Sequence, residues 1–401
     1  MDQFPIENGE LLVGGTSITR LAARVGQTPF YAYDRRLLTA RMMALRAALP
    51  TAIRIHYAIK ANPMPALVGH MAGLVDGLDV ASGGELKVAL DAGCVPGAIS
   101  FAGPGKRREE MSQAVAAGVL LNVESFREAR ELADISARTG WRARVAVRVN
   151  PDFELKSSGM KMGGGPKQFG VDAEQVPDLL REIGQLGLAF EGFHLFAGSQ
   201  NLKADSIIEA QKQSFDLALR LADHAPSPVL SLNLGGGFGI PYFPGDPRLD
   251  LAPIGANLAE IAAAASHKLP KAELVLELGR YLVGEAGLYV CRVMDRKVSR
   301  GQVFLITDGG MHHHLAASGN FGQVIRKNYP AAIANRMGHQ VEEGVSVVGP
   351  LCTPLDLLGD RVPLQVAQPG DFVAIFQSGA YGPSASPSAF LGHPPACEIL
   401  I

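Results

Sequence analysis

Three short stretches bring together residue types that could do chemistry. In IHYAIKAN, Lys60 closes an apolar run behind Ala58 and Ile59. A lysine partly withdrawn from water at such a place deprotonates more readily and can form an imine with an aldehyde, although an isolated lysine closing a strand is more often a plain surface residue. In NLGGGFG, residues 233–239, the adjacent Gly235, Gly236 and Gly237 would let backbone N–H groups approach an anion such as a phosphate, or simply make a tight turn. In ELGRYLVGEAG, Glu277 and Arg280 form either a structural ion pair or a functional one: a carboxylate that holds a proton on a ring nitrogen and a guanidinium that suits a phosphate.

The elements that must position these groups follow from periodicity. Short apolar, β-branched runs at 53–59, 77–80, 98–101, 119–123, 144–149, 190–196, 229–234 and 273–277 alternate with amphipathic stretches such as 84–92 and 204–223. Eight strand–helix repeats predict an α/β fold with a (β/α)8 TIM-like barrel, in which functional groups gather at the C-terminal ends of the strands. Lys60, the glycine run and Glu277 all fall at such ends. After Arg280 strand-like runs occur without long helices, at 288–292, 303–307, 345–348 and 372–376. We therefore expect a barrel over 34–280 and a β-sandwich or β-barrel domain over 281–401, joined by residues 1–33, whose apolar runs at 4–33 would pair with it.

Composition narrows the partners. Of 401 residues, 37 are Lys or Arg and 39 Asp or Glu, with no basic block among aromatics, so no nucleic-acid footprint is visible. Cys94, Cys291, Cys352 and Cys397 lie far apart without a CxxC pair, which suggests neither a zinc site nor a disulfide framework and suits a reducing compartment. With no signal-like start and no membrane-length apolar run, the expectation is a cytoplasmic protein acting on a small molecule, without membrane attachment.

The motifs YAIKAN, DVASGGEL, RVNP, GSQ, GGGFG, ELGRY, GPLC and GAYG, met in that order over residues 28–401, resemble the fold-type III pyridoxal-phosphate decarboxylases, the group of diaminopimelate, ornithine and arginine decarboxylases. The resemblance implies the alanine racemase and ornithine decarboxylase-like architecture, with pyridoxal 5'-phosphate as cofactor. It implies α-decarboxylation of an amino acid through an external aldimine and a quinonoid. By the same resemblance Lys60 carries the internal aldimine and Glu277 pairs with the pyridine nitrogen. Ser199, Gly235, Gly236, Gly237, Gly279, Arg280 and Tyr381 surround the phosphate, and Asp79 supports the Lys60 end of the cofactor. Cys352 matches the family cysteine that reprotonates the carbanion from the partner subunit, which implies an obligate homodimer.

Three departures bear on the substrate. Phe196 stands where the family has a ring-stacking histidine; it can stack but cannot donate a hydrogen bond. His194, two residues earlier, is either a group supporting the site or a satisfied core histidine, and the second is preferred. Thr353 and Pro354 follow Cys352 where diaminopimelate and ornithine decarboxylases have an acid for the distal amine; Asp356 is a candidate substitute, though it aligns with a family aspartate outside that role. In DGGMHHHLAAS, residues 308–318, alanines replace the arginine that takes the distal carboxylate, leaving Arg326 or Lys327 as substitutes. Thr353, Asp356 and Arg326 are thus the candidate substrate contacts.

A lost distal contact is expected when that carboxyl is a carrier-protein thioester, and the chain resembles the decarboxylase branch associated with exosortase gene sets. No metal is expected at His312, His313 and His314, because neighbours on an extended chain point to alternating faces. The glycine-rich segment 157–167 reads as a lid or as an insertion without a role. The alternatives are a non-catalytic pyridoxal-phosphate-binding protein or regulator, and an amino-acid racemase; Glu277 argues against a racemase, which places arginine at the ring nitrogen.

Overall fold

The structure is a computed structural model that describes residues 3–154, 160–161, 163–323, 326–341 and 343–401. The segment 157–167 therefore lies partly outside the described residues. Eight parallel strands close into a barrel: β1 (Ile53–Ala58), β2 (Gly77–Val80), β3 (Ile99–Phe101), β4 (Leu120–Val123), β5 (Arg144–Asn150), β6 (Ala189–Leu195), β7 (Ser231–Gly236) and β8 (Glu273–Leu278). Each pairs with the next, β8 pairs with β1, and β4 with β5 completes the ring. The expected barrel is confirmed, with strand bounds shifted by a residue or two. Lys60 lies on the 3-10 turn Ile59–Ala61 that follows β1.

Local sequence explains the repeats. In β1 the residues Ile53, Ile55 and Tyr57 are fully buried on one side, while Arg54, His56 and Ala58 alternate onto the other. Helices Gly83–Asp91 and Phe126–Thr139 begin where Ser82 and Ser125 accept a hydrogen bond from the N–H of Glu85 and Glu128, three residues on. The chain leaves the helices Arg108–Ala117 and Phe126–Thr139 through Gly118 and Gly140, both left-handed. Register places the functional levels side by side: Ala58 opposite Asp79, Asp79 opposite Ser100, and Gly236 opposite Glu277.

Two compact units result. One comprises Arg41–Ile240 and Arg248–Leu282 and contains the barrel; the other comprises Met1–Ala40, Pro241–Pro247 and Val283–Ile401. The second is built on a sheet ordered Ala331–Ile333, Phe372–Ile375, Gly287–Ser299, Gln302–Thr307, Glu343–Val348 and Leu357–Leu364. The leading segment does join it: Phe30–Tyr33 pairs antiparallel with Gly287–Val290, and Cys397–Leu400 runs parallel beside Phe30–Tyr33. Phe4, Phe30, Leu288, Phe372 and Phe376 share its core. Among the described residues no helix is long and apolar enough to cross a membrane.

Backbone contact inside the barrel is tight at Gly192, where an added Cβ would lie 1.7 Å from the carbonyl oxygen of Ser231. Gly192→Ala is expected to destabilise the protein by about 2–3 kcal/mol, read from the urea unfolding midpoint.

Candidate active site

The C-terminal ends of β1, β6, β7 and β8 converge on Lys60. Its Nζ lies 3.1 Å from Glu277 Oε1 and 5.4 Å from the centroid of the Phe196 ring. Glu277 is almost wholly buried, and its second oxygen is 3.0 Å from His194 Nε2. Burial alone pushes this carboxyl up, but the Lys60 ammonium, then His194 and Arg148, outweigh it and hold the group well below the usual carboxylate range. Lys60 is the open member, with 45 % of its side chain exposed, so its amine is within reach of an incoming aldehyde.

Glycines shape the neighbouring wall. Gly235 and Gly237 have φ of +71° and +78°, and a Cβ on Gly237 would lie 2.4 Å from Gly198 O, hard against the Gly198–Ser199 strand. Asn233 Oδ1 accepts from Gly235 N–H, and Asn201 N–H donates to Gly237 O, which pins Ser199 beside the glycine run. Gly236 presses on the carbonyl of Glu277, and Gly279 on Ala61, next to Lys60. Arg280 opens the short helix Arg280–Val283 directly after β8. The barrel thus gathers Lys60, Phe196, Ser199, Gly235, Gly236, Gly237, Glu277, Gly279 and Arg280.

Asp79, on β2 at the level of Ala58, is also buried; Oδ1 accepts from Ser100 Oγ at 2.5 Å and faces His56 Nδ1 at 3.2 Å, while Oδ2 has no partner among the described residues. Glu85 accepts from Ala81 N–H and is raised, first by burial, with the charge of Lys60 opposing.

The other expected residues belong to the β unit. Cys352 is exposed, and the half-buried Tyr381 has φ of +54°, its ring 6.3 Å from that of Phe321. Arg326 is exposed and donates to Leu357 O. Asp356 is buried and accepts from Met311 N–H at 2.6 Å and Leu351 N–H at 2.8 Å. Both its oxygens tie loops together, which corrects the reading of Asp356 as a partner for a substrate ammonium. The expectation of alternating histidines is corrected too. Residues 311–313 form a turn, and the His312 and His313 rings lie 3.7 Å apart. Burial, then His313 and His393, lower His312 to about 4, and burial lowers His314 to about 3. Both are neutral at physiological pH. Among the described residues no group of three or more His, Cys, Asp or Glu is placed to hold a metal.

His194 is a correction as well. Its Nε2 meets Glu277, while the buried Nδ1 has no partner among the described residues, so it is not a satisfied core histidine. Strand parity carried the signal: His194 shares its face with Phe196.

The residues present fit pyridoxal phosphate. An accessible amine stands beside an ionised carboxylate, the glycine run leaves backbone uncovered, and two buried polar atoms, Asp79 Oδ2 and His194 Nδ1, await partners.

Residues 35–284 match the family model for the pyridoxal-dependent decarboxylase, pyridoxal binding domain. The chain belongs to that family and is a pyridoxal-phosphate-dependent decarboxylase with the fold-type III architecture. It is 40 % identical to the L-glutamyl-[BtrI acyl-carrier protein] decarboxylase of Niallia circulans, covering 96 % of this chain and 90 % of that one. Against the diaminopimelate decarboxylase of Aquifex aeolicus identity is 34 %, over 98 % and 91 % of the two chains. The crystal structure of diaminopimelate decarboxylase from M. jannaschii in complex with L-lysine superposes with a TM-score of 0.89 at 26 % identity, over 100 % and 93 % of the chains.

Glu277 supports a pH test. A carboxylate depressed in the folded state binds fewer protons than in the unfolded one, so its contribution to stability is present above the unfolded value of about 4.3 and is lost as the pH falls through the depressed one. Thermal unfolding of cofactor-free Glu277→Gln should show a shallower loss of stability below about pH 4.3 than wild type; superimposable acid limbs would contradict the ionised assignment.

Proposed function

We propose that this decarboxylase acts on an α-amino acid whose distal carboxyl is tethered to a carrier protein as a thioester. The observation that carries this reading is the missing distal recognition. Thr353 and Pro354 follow Cys352, Ala316 and Ala317 occupy the place of a carboxylate-binding arginine, and Asp356 is buried with Met311 and Leu351 N–H on its two oxygens. A free distal ammonium or carboxylate bound there would lose a charged partner, a penalty of roughly 2 kcal/mol or more in a buried site. A thioester has no charge to be matched. The 40 % identity to an enzyme named for a carrier-linked glutamyl substrate supports the same reading.

Bound pyridoxal phosphate supplies the electron sink for the bond that breaks. Lys60 is the residue that would hold it covalently, through Nζ. Glu277 would hold a proton on its ring nitrogen, and His194 in turn holds Glu277 by its second oxygen. Phe196 would cover one ring face, and Ser199, Gly235, Gly236, Gly237, Gly279, Arg280 and Tyr381 would hold the phosphate. Burial of Glu277 keeps water from competing for that proton. Cys352 returns a proton to the α carbon; we infer that it does so across a homodimer, in keeping with its exposure on the β unit.

The test is carbon dioxide release from matched substrates, with Lys60→Ala as the blank. Carrier-linked glutamyl thioester should be turned over at least a hundredfold faster in kcat/KM than free diaminopimelate, ornithine or lysine. A free amino acid processed as well as the thioester would overturn the proposal.

A further inference from the structure

Below the site the barrel interior is polar. His56, Asp79, Ser100 and Asn122 form one hydrogen-bonded group, with Asn122 Nδ2 donating to Ser100 Oγ at 3.2 Å, Ser100 to Asp79, and His56 Nδ1 on the same Asp79 oxygen. Two contacts on Oδ1 leave Oδ2 as the oriented, unpartnered atom of a carboxylate that is 5 % exposed, level with a residue only two positions before Lys60. A buried acceptor without a partner costs free energy, so its place implies a partner in the working enzyme.

His56 is built into this arrangement. Its imidazole takes the space of a side chain at position 77, where a Cβ would lie 2.5 Å from His56 Nε2. Its other side lines a cavity of about 550 Å3 at the N-terminal end of the barrel, walled by the exposed ion pair of Arg54 with Glu273 and by Asp76, Arg144 and Glu191. Burial pushes the imidazole down, but the charge and hydrogen bond of Asp79, with Glu277 and Asp76 beyond, carry it above the ordinary histidine value; the cations Arg54, Arg144 and Lys271 line the same cavity.

We propose that His56 is a positioning residue for the cofactor end of the site: its Nδ1 and the Ser100 hydroxyl grip Asp79 Oδ1 and so turn Oδ2 towards the group carried by Lys60. Protonation of His56 would tighten that grip. This rests on the assignment of Lys60 as the imine lysine.

The test needs no substrate. Cofactor-free protein is titrated with pyridoxal phosphate, and the pH midpoint of the Lys60-dependent imine absorbance is measured. In His56→Ala the midpoint should move by about one unit, the scale of one lost charge partner. Because the deleted ring leaves a gap open to the cavity, added imidazole should restore the wild-type midpoint, whereas pyrazole, the same ring shape but uncharged at neutral pH, should not. Should His56→Ala fail to fold, as judged by circular dichroism, the neutral His56→Gln replaces it and should shift the midpoint equally.

An unchanged midpoint in a folded variant, or rescue by pyrazole as good as by imidazole, would overturn the proposal. Absence of any imine band in wild type would instead overturn the Lys60 assignment. In that case NMR titration of His56 in cofactor-free protein still decides its charge: a midpoint above about 6.5 that falls in Asp79→Asn is expected, and a midpoint at or below about 6.5 refutes the imidazolium.

Discussion

The site depends on keeping one buried carboxylate ionised. Glu277 sits where water cannot solvate its charge, a state that an isolated acid leaves by taking up a proton. Here one oxygen faces the Lys60 ammonium and the other His194, with Arg148 adding to the field. The Lys60 and His194 contacts that stabilise the charge also aim it. The His194 contact is to the oxygen that Lys60 does not touch, so it would keep the carboxylate oriented if the amine of Lys60 were engaged elsewhere.

That arrangement explains why the barrel interior departs from the usual apolar filling. Outward-facing Ile53, Ile55 and Tyr57 provide the packing that holds β1. Inward-facing positions are then available for His56, Asp79, Ser100, Asn122, Arg148, His194 and Glu277, each tied to a polar neighbour. The glycines at the rim act in the opposite sense, by leaving space empty. Gly236 and Gly279 let neighbouring backbone approach so closely that any side chain would strike Glu277 or the Lys60 turn.

Much of this was legible in the sequence, for physical reasons. The period-2 runs located all eight barrel strands because their outward faces must be apolar to pack under helices. Motif order located Lys60, the glycine run and Glu277 because each occupies a strand end. His194 was misjudged, since a histidine within a buried strand looks much the same whether its ring nitrogens are satisfied or serve a neighbour; parity with Phe196 was the one hint, and the Glu277 contact decides it. The Ser100 and His56 contacts to Asp79 were invisible for a like reason, as they join three strands that are distant in sequence. The three histidines misled because an extended chain was assumed where a turn brings the rings side by side. Asp356 misled because its backbone donors, Met311 and Leu351, leave no mark in the sequence.

The barrel unit carries Lys60, the glycine run and Glu277, while Thr353, Pro354, Ala316 and Ala317, on which the proposed substrate reading rests, belong to the β unit. Everything on that side presupposes that the imine forms at Lys60. The most direct measurement is borohydride reduction of the pyridoxal-phosphate-loaded protein followed by peptide mass spectrometry. A single phosphopyridoxyl group on the peptide that contains Lys60 is the predicted result. Label on any other lysine, with Lys60 unmodified, would contradict the assignment.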